Sequence, residues 1–376
     1  MVSEIIVKPV ESRKDLKTFI KIPWKIYEGD SNWVPPLIMD MKNMLDKKKN
    51  PFWSHSEGEY FIAKKDGKPV GRIAAIINHN HNSLHNELVG FFGFFESIED
   101  EAVAHALLEA AEKWAKGRGM KIFRGPMNPS TNDSCGFLLE GFNSPPVVMM
   151  TYNPRYYLDF MESYGLKKAK DLLAYYMDSE TVPISDKVKH VAELIRKRNK
   201  ITIRSADMKH FQDELKIVKL VYNDAWSKNW GFVPFTDEEI DHIAKELKPI
   251  VVPDLAIVAE IDGEPAGFSL AIPDYNQAMI HVRDGRLFPT GLIKLLLYRR
   301  KIDTLRVIIM GMRHKYRNLG VDAVFYYETY KRGVAHGYTK GEFSWILEDN
   351  ALMNHTLEKL GSWVYKKYRI YEKSML

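Results

Sequence analysis

The sequence predicts an α/β protein of the α+β kind, made of two tandem copies of one unit, each a mixed, mostly antiparallel sheet flanked by helices. Three observations lead there. The 376 residues exceed what one core usually holds. A strand–turn–strand segment occurs twice. A helical segment recurs at the same separation.

Residues 61–76 read FIAKKDGKPVGRIAAI and residues 257–272 read IVAEIDGEPAGFSLAI, 196 positions apart. Ala63/Ala259, Asp66/Asp262, Gly67/Gly263, Pro69/Pro265, Gly71/Gly267, Ala75/Ala271 and Ile76/Ile272 are identical. Asp-Gly between two apolar runs is a hairpin signal, because the turn needs positive φ and a local side-chain acceptor. The second pair is NPRYYLDFMESYGL from Asn153 and NALMNHTLEKLG from Asn350, closed by Gly165 and Gly361, again 196 apart. Each reads as a helix with Asn at its start and Gly at its stop, followed by an aromatic-rich strand. The boundary falls near the polar, Pro-bearing SETVPISDK, giving a first domain over 1–180 and a second over 181–376.

Between these landmarks the copies diverge. The first has the strand LVGFFGFFES and then a helix, EDEAVAHALLEAAEKWAKGRG, with an expected apolar face of Val103, Ala106, Leu107, Ala110 and Trp114. The strand KIFRG and a long Pro/Asn/Gly-rich segment, GPMNPSTNDSCGFLLEGFNSPP, follow. The second has an insertion, DYNQAMIHVRDGRLFPTGLIKLLLYRRKID, then the strand TLRVIIMGM, a helix from about Asn318 to His336, and the strand GEFSWIL.

Hydrophobic residues at 45% and charged residues at 27% describe an ordinary globular chain. A net charge of +5 suits an anionic ligand or a membrane surface as well as nucleic acid. With no zinc-finger, RNA-binding or helix-turn-helix signature, nucleic acid is not expected. The single cysteine, Cys135, allows no intrachain disulfide, fits a reducing cytoplasm, and reads as a small buried residue. The N-terminal MVSEIIVKPVESRKDLKTF carries acids and no apolar run, so it is not read as a signal peptide, and no run approaches the ~18 apolar residues of a membrane span. The expectation is a cytoplasmic protein, at most peripheral to a membrane. His79, His81 and His85 lie close together, but zinc sites usually add Cys or carboxylate ligands at fixed spacing, and no metal is expected.

The junction VIIMGMRHKYRNLGVDAVFYYETYKRGVAHGY carries the chemistry. An apolar strand ends near Met310, a basic loop follows, and Gly320 opens a long helix. The first amides of a helix lack intrahelical partners and lie at its positive end, so a diphosphate supplies both acceptors and charge there. Glycine lets backbone approach phosphate without a Cβ. Arg313, Lys315 and Arg317 would add charge. The junction resembles the pyrophosphate loop of the GNAT superfamily of acyl-CoA N-acyltransferases, Arg/Gln-x-x-Gly-x-Gly/Ala. In Arg317-Asn318-Leu319-Gly320-Val321-Asp322 the first and fourth positions match, and Asp322 stands where a small residue belongs. The family commonly continues with Asn, a Tyr seven residues on, and Glu-Lys-x-Gly. Here Asn350 and Glu358-Lys359-Leu360-Gly361 match, with Leu357 in place of the Tyr. The motif order covers residues from about 200 to 371, and the first copy follows through the repeat. Its own helix start, GFFGFFESIEDEA, has no Arg-x-x-Gly and carries acids, so that copy is expected to be degenerate and to bind no CoA. The whole pattern resembles tandem GNAT proteins.

The resemblance implies acyl-CoA, acetyl or longer, as co-substrate, held by Met310, Met312, Arg317, Asn318, Leu319, Gly320, Val321, Asp322 and Asn350, with no metal. It implies direct attack of an amine on the thioester, with an oxyanion donor among the amides of Met310–Met312. Glu348 is the first candidate base and His314 the second; Glu348 reads equally as an acid preceding a helix. With Leu357 replacing the usual acid, Tyr365, Tyr368 or no residue protonates the thiolate. The amine is expected between the copies, near Asn132, Asn153 and Tyr156, with Asn128 and Tyr157 in the same loop-rich context; one of the two tyrosines is expected to pack in the core. The Leu-rich helix TGLIKLLLYRRKID, with Lys294, Arg299, Arg300 and Lys301, suits peripheral membrane contact through 290–303 and hence a lipid amine, or else is a packed helix or dimer face. The expected function is an N-acyltransferase acting on a small-molecule or lipid amine. The alternatives are a non-catalytic CoA-binding sensor and an aminoacyl-tRNA-dependent transferase, which would not need the Arg317 loop.

Overall fold

The computed structural model describes residues 4–376. The chain forms two compact units. One runs through Leu172 and takes in Met279–Leu297 and Lys366–Leu376; the other is Leu173–Ala278 with Tyr298–Tyr365. The first unit contains β1 (Ile5–Pro9), α1 (Arg13–Lys21), α2 (Pro23–Ile26), α3 (Ile38–Leu45), β2 (Ser56–Lys65), β3 (Lys68–Asn78), α4 (His79–His85), β4 (Val89–Ser97), α5 (Glu101–Lys116), β5 (Ile122–Gly125), β6 (Met127–Asn128), β7 (Ser134–Cys135), β8 (Phe137–Glu140), α6 (Tyr156–Ser163) and the start of β9 (Lys167–Asp178). The second contains α7 (Asp186–Arg198), β10 (Thr202–Ser205), α8 (Phe211–Ala225), α9 (Asp237–Leu247), β11 (Ala256–Ile261), β12 (Glu264–Pro273) and the short α10 (Asn276–Met279). After α11 (Thr290–Tyr298) it resumes with β13 (Thr304–Met312), α12 (Val321–Ala335), β14 (Lys340–Leu347), α13 (Ala351–Lys359) and the start of β15 (Trp363–Ser374).

In the first unit the strand order is β1-β2-β3-β4-β5, antiparallel except for the parallel β4–β5 pair. The end of β15 then pairs antiparallel with β5, Tyr371 opposite Gly125 and Ser374 opposite Ile122. In the second unit the order β9-β14-β13-β12-β11-β10 repeats this plan, with β13–β14 parallel.

The tandem build holds in detail. Asp66 and Gly67 turn with φ 50° and 76°, Asp262 and Gly263 with 51° and 77°. The β2–β3 ladder slips between Ala63 and Lys64, and the β11–β12 ladder slips between Ala259 and Glu260, the equivalent place. Gly71 and Gly267 each lie under a helix: an added Cβ would sit 2.7 Å from Leu107 of α5 or 2.8 Å from Phe325 of α12. No larger residue lets these helices pack so close to the sheet.

Three local expectations are corrected. In α5 the buried stripe is Val103, Ala104, Leu107, Leu108, Ala111 and Ala115, while Ala106, Ala110 and Trp114 are only half-buried. A helix laid across several strands buries a stripe wider than one i, i+4 row, here displaced by one residue. Asn153 starts no helix: α6 begins at Tyr156 with Arg155 as its cap residue. The Asn153 side chain is turned away from the helix start, bonded to the main chain of Leu138 instead of to the first amides of α6. The helix expected from about Asn318 begins at Val321, because Asn318 and Gly320 adopt left-handed φ of 70° and 76°.

Candidate active site

β13 and β14 pair only from Thr304–Val307 with Lys340–Phe343, and then diverge. At that point β13 carries one extra residue, Ile308, since Leu270 faces Ile309 and Ala271 faces Val307. Such bulges re-aim main-chain groups and end pairing. Beyond it Ile308, Ile309, Met310 and Met312 are half-buried, whereas Thr304–Val307 is buried. In the first unit β4 and β5 also diverge, after Val89–Phe91 pairs with Ile122–Arg124. There the chain fills its own wedge. An added Cβ on Gly93 would lie 1.6 Å from the Met127 carbonyl, and the Phe94 amide donates to Asn128 Oδ1 at 2.5 Å. Accordingly Val89–Phe95 is buried throughout.

The helices that leave the two wedges differ in the same sense. At α5, Asp100 accepts from the amides of Ala102 and Val103 at 3.1 and 3.4 Å. A hydrogen bond from Lys65 holds its carboxyl below the usual range. At α12, Gly320 caps without any side-chain hydrogen bond, so the first amides keep no side-chain acceptor. The loop before it is pinned elsewhere: Asn199 donates to the Leu319 carbonyl at 2.8 Å, and Ile195 of α7 would meet a Cβ on Gly320 at 2.9 Å. Val321 is core. Asn318 is exposed, and Asp322 lies in the first turn, half-buried.

The expected cationic loop is partly neutralised. Arg313 lies 3.8 Å from both Asp224 and Glu264, and Lys315 pairs with Glu264. Arg317 stays exposed, with Nη2 donating to the Ala225 carbonyl at 2.7 Å. Glu264, 51 residues before Lys315, lies outside the reach of a loop motif.

His314 lies two residues beyond the end of β13. Its Nδ1 is 2.7 Å from Asp224 Oδ1 and its main-chain N–H donates to Oδ2 at 2.9 Å. The carboxylate therefore places the proton of the neutral ring on Nδ1 and leaves the Nε2 lone pair, which is buried and has no hydrogen-bond partner. Asp224, at the end of α8, was not marked by any sequence pattern, and it makes His314 the base candidate with a built orientation. Glu348 lies half-buried on the turn between β14 and α13, its carbonyl accepting from Asn354 at 3.3 Å. Asn350 caps α13, taking the Met353 amide at 3.3 Å. Leu357 is fully buried core. Tyr365 reaches Glu342 at 3.4 Å, and buried Glu342 lies 3.5 Å from Arg306 on the paired strand. Neither Arg306 nor Glu342 belongs to a motif; only strand pairing brings them together.

In the first unit Asn132 sits in a turn, its amide donating to Ser130 Oγ at 3.1 Å. Buried Asn153 braces the chain, accepting from Leu138 N at 2.6 Å and donating to the Pro154 carbonyl at 3.0 Å. Half-buried Tyr156 donates to the Ser97 carbonyl at 2.9 Å. Tyr157 is the core member of the pair, donating to Glu96 at 2.9 Å. Burial raises the Glu96 carboxyl despite Arg72 3.6 Å away. Cys135 is buried.

An apolar cavity of about 100 Å³ opens between α8, α9 and the sheet, lined by Phe211, Leu215, Tyr222, Ile243, Leu270 and Ile309 among others. Ile309 belongs to the stretch of β13 beyond the bulge, opposite Leu270 of β12, which also lines the cavity. Among the described residues no helix is long and apolar enough to cross a membrane.

The family described as acetyltransferase (GNAT) matches residues 22–138. The chain is 37% identical to Protein YghO of Escherichia coli, over 98% of this chain and 95% of that one. It is 36% identical to a bacterial ceramide synthase of Caulobacter vibrioides, over 99% and 98%. Among solved structures, a tandem GNAT protein from the clavulanic acid biosynthesis pathway superposes with a TM-score of 0.57 at 10% identity, over 99% of this chain and 98% of that one. The family match falls on the first copy, the repeat carries it to the second, and relatives align from end to end: the chain belongs to the acetyltransferase (GNAT) family, as a tandem member of the acyltransferase class.

Proposed function

We propose that the second unit transfers an acyl group from acyl-CoA to the nitrogen of a lipid amine. The observation that carries this reading is the Nε2 lone pair of His314, held by Asp224 at the end of the strand that leads into an uncapped helix start. The α12 amides and Arg317 take the diphosphate, and the half-buried stretch of β13 takes the pantetheine arm. The amine nitrogen attacks the thioester carbonyl: a C–N bond forms and the C–S bond breaks. His314 Nε2 accepts the proton lost by nitrogen. Main-chain amides between the Ile308 bulge and Met312 hold the oxyanion. A thiolate leaves without help, which fits Leu357 in the core where the family places a Tyr.

The lipid class rests on two supports. The cavity beside Ile309 is walled by hydrocarbon side chains and suits an alkyl chain. A relative covering the whole chain is named a ceramide synthase, and a ceramide is an N-acylated long-chain amino alcohol. The test is thiol release from acetyl-, octanoyl- and palmitoyl-CoA with a long-chain amino alcohol and with short amines, in the natural protein and in His314→Ala. Release with the long-chain amine that His314→Ala abolishes is the expected result. CoA binding without turnover of any pair would leave a ligand-binding protein and end the enzymatic reading.

A further inference from the structure

We propose that Phe288 and the outer face of α11 form a docking surface for an anionic lipid bilayer. Phe288, Ile293 and Leu297 are 66%, 59% and 64% exposed, and Leu292 and Leu296 are exposed beside them. So contiguous an apolar face on a soluble domain marks an interaction site.

The face is built on a fixed base within the first unit. Arg283 donates to the carbonyls of Trp33 and Asp30 at 2.6 and 3.0 Å, and Trp24 Nε1 donates to the Arg283 carbonyl at 2.8 Å. The Ile38 amide bonds the Gly285 carbonyl at 2.9 Å. Gly285, at φ 66°, is seated where a Cβ would strike Trp24 at 2.5 Å. Gly291 is buried, and its added Cβ would lie 2.1 Å from the Arg286 carbonyl. The first turn of α11 is thus locked inward, and Leu292, Ile293, Leu296 and Leu297 are left exposed, with Leu295 half-buried.

Charge chooses the occupant. From Arg286 to Lys301 the chain has no acid, and Arg286, Lys294, Arg299, Arg300 and Lys301 are all exposed. A second copy of the same face would set these cations against each other. An anionic headgroup layer neutralises them while its hydrocarbon takes Phe288, Ile293 and Leu297. The proposal does not depend on the transfer chemistry of the second unit.

The experiment is co-sedimentation of the full chain with vesicles of phosphatidylcholine alone and of phosphatidylcholine mixed with phosphatidylglycerol, at low and high salt. Expected is binding to the mixed vesicles that weakens with salt and falls at least about tenfold in Ile293→Glu/Leu297→Glu. Both side chains are exposed, so the melting temperature should not move. Absence of binding to the mixed vesicles overturns the proposal, as does binding that the double variant retains. Sedimentation of the natural protein as a dimer that the double variant dissociates overturns it in favour of a second copy.

Discussion

Asp224 grips His314 from two sides, one carboxylate oxygen 2.7 Å from the ring Nδ1 and the other accepting the His314 main-chain N–H at 2.9 Å. The two contacts fix both the ring's rotation and its tautomer. Burial raises the Asp224 carboxyl, but the side-chain and main-chain hydrogen bonds from His314 and the charge of Arg313 hold it below its ordinary value. It therefore stays ionised wherever the protein is folded near neutrality.

Asp224→Asn should lower kcat by about 10²- to 10⁴-fold while leaving CoA affinity near its natural value, because an amide no longer fixes the lone pair on Nε2. His314→Ala should do the same, and the double variant should be little worse than either alone, since the two act as one device. Steady-state kinetics with a binding titration checks this; a rise in KM alone would assign the pair to binding.

Asp322 puts a negative charge in the first turn of α12, beside the proposed diphosphate site. Asp322→Asn should tighten CoA binding about two- to fivefold and remove a few tenths of a kcal/mol of helix stability, both through the helix dipole. Calorimetric titration and a urea melt read the two effects separately.

The first unit's helix start should behave in the opposite way. Asp100→Ala removes the acceptor of Ala102 and Val103 and should cost about 1 kcal/mol of stability, with no change in CoA affinity. A change in CoA affinity would place the coenzyme in the first unit.

The cavity predicts chain-length control. Leu215→Trp, on the α8 wall, should reduce turnover of the longer-chain substrate relative to a short one by about tenfold or more, since lost apolar contacts count per methylene. Equal loss for short and long substrates would separate the cavity from chain recognition.

His81 should give the fold an acid-sensitive contribution. Burial pushes its ring down from 6.5 to about 4, with Glu87 opposing that shift and His85 and Arg124 adding to it. The unfolded chain takes up the proton first, so this stability is present above pH 6.5 and is lost as pH falls towards 4. Between pH 7 and pH 5 the loss should be about 2 kcal/mol, and His81→Phe should flatten that part of the pH–stability curve. Urea melts at several pH values check it.

The duplication and the wedge-to-helix junction were legible in the sequence because they rest on short-range rules. Asp-Gly favours the same turn in both copies, and Asn318 and Gly320, residue types that tolerate left-handed backbone, make the entry to α12. Asn153 and Asn350 match in sequence but differ in use: Asn350 accepts the Met353 amide and caps α13, whereas Asn153 is drawn to the main chain of Leu138, which no local rule foretells. The α5 stripe slipped by one residue because periodicity gives a direction, and the width of the sheet beneath decides how much is buried.

By itself the sequence determined the repeat, the turn chemistry and the glycine that opens α12. Only the tertiary structure decided that Asp224 meets His314 across 90 residues, that Glu264 and Asp224 draw off Arg313 and Lys315, that Met127–Asn128 fills one wedge while β13 beyond Val307 stays half-buried, and that Arg283, ahead of α11, is held by Trp24 and Trp33. The physical reason is reach. Backbone preference and amphipathic period act over a few residues, whereas charge pairing, wedge filling and exposure depend on which distant segments folding brings within a few ångströms.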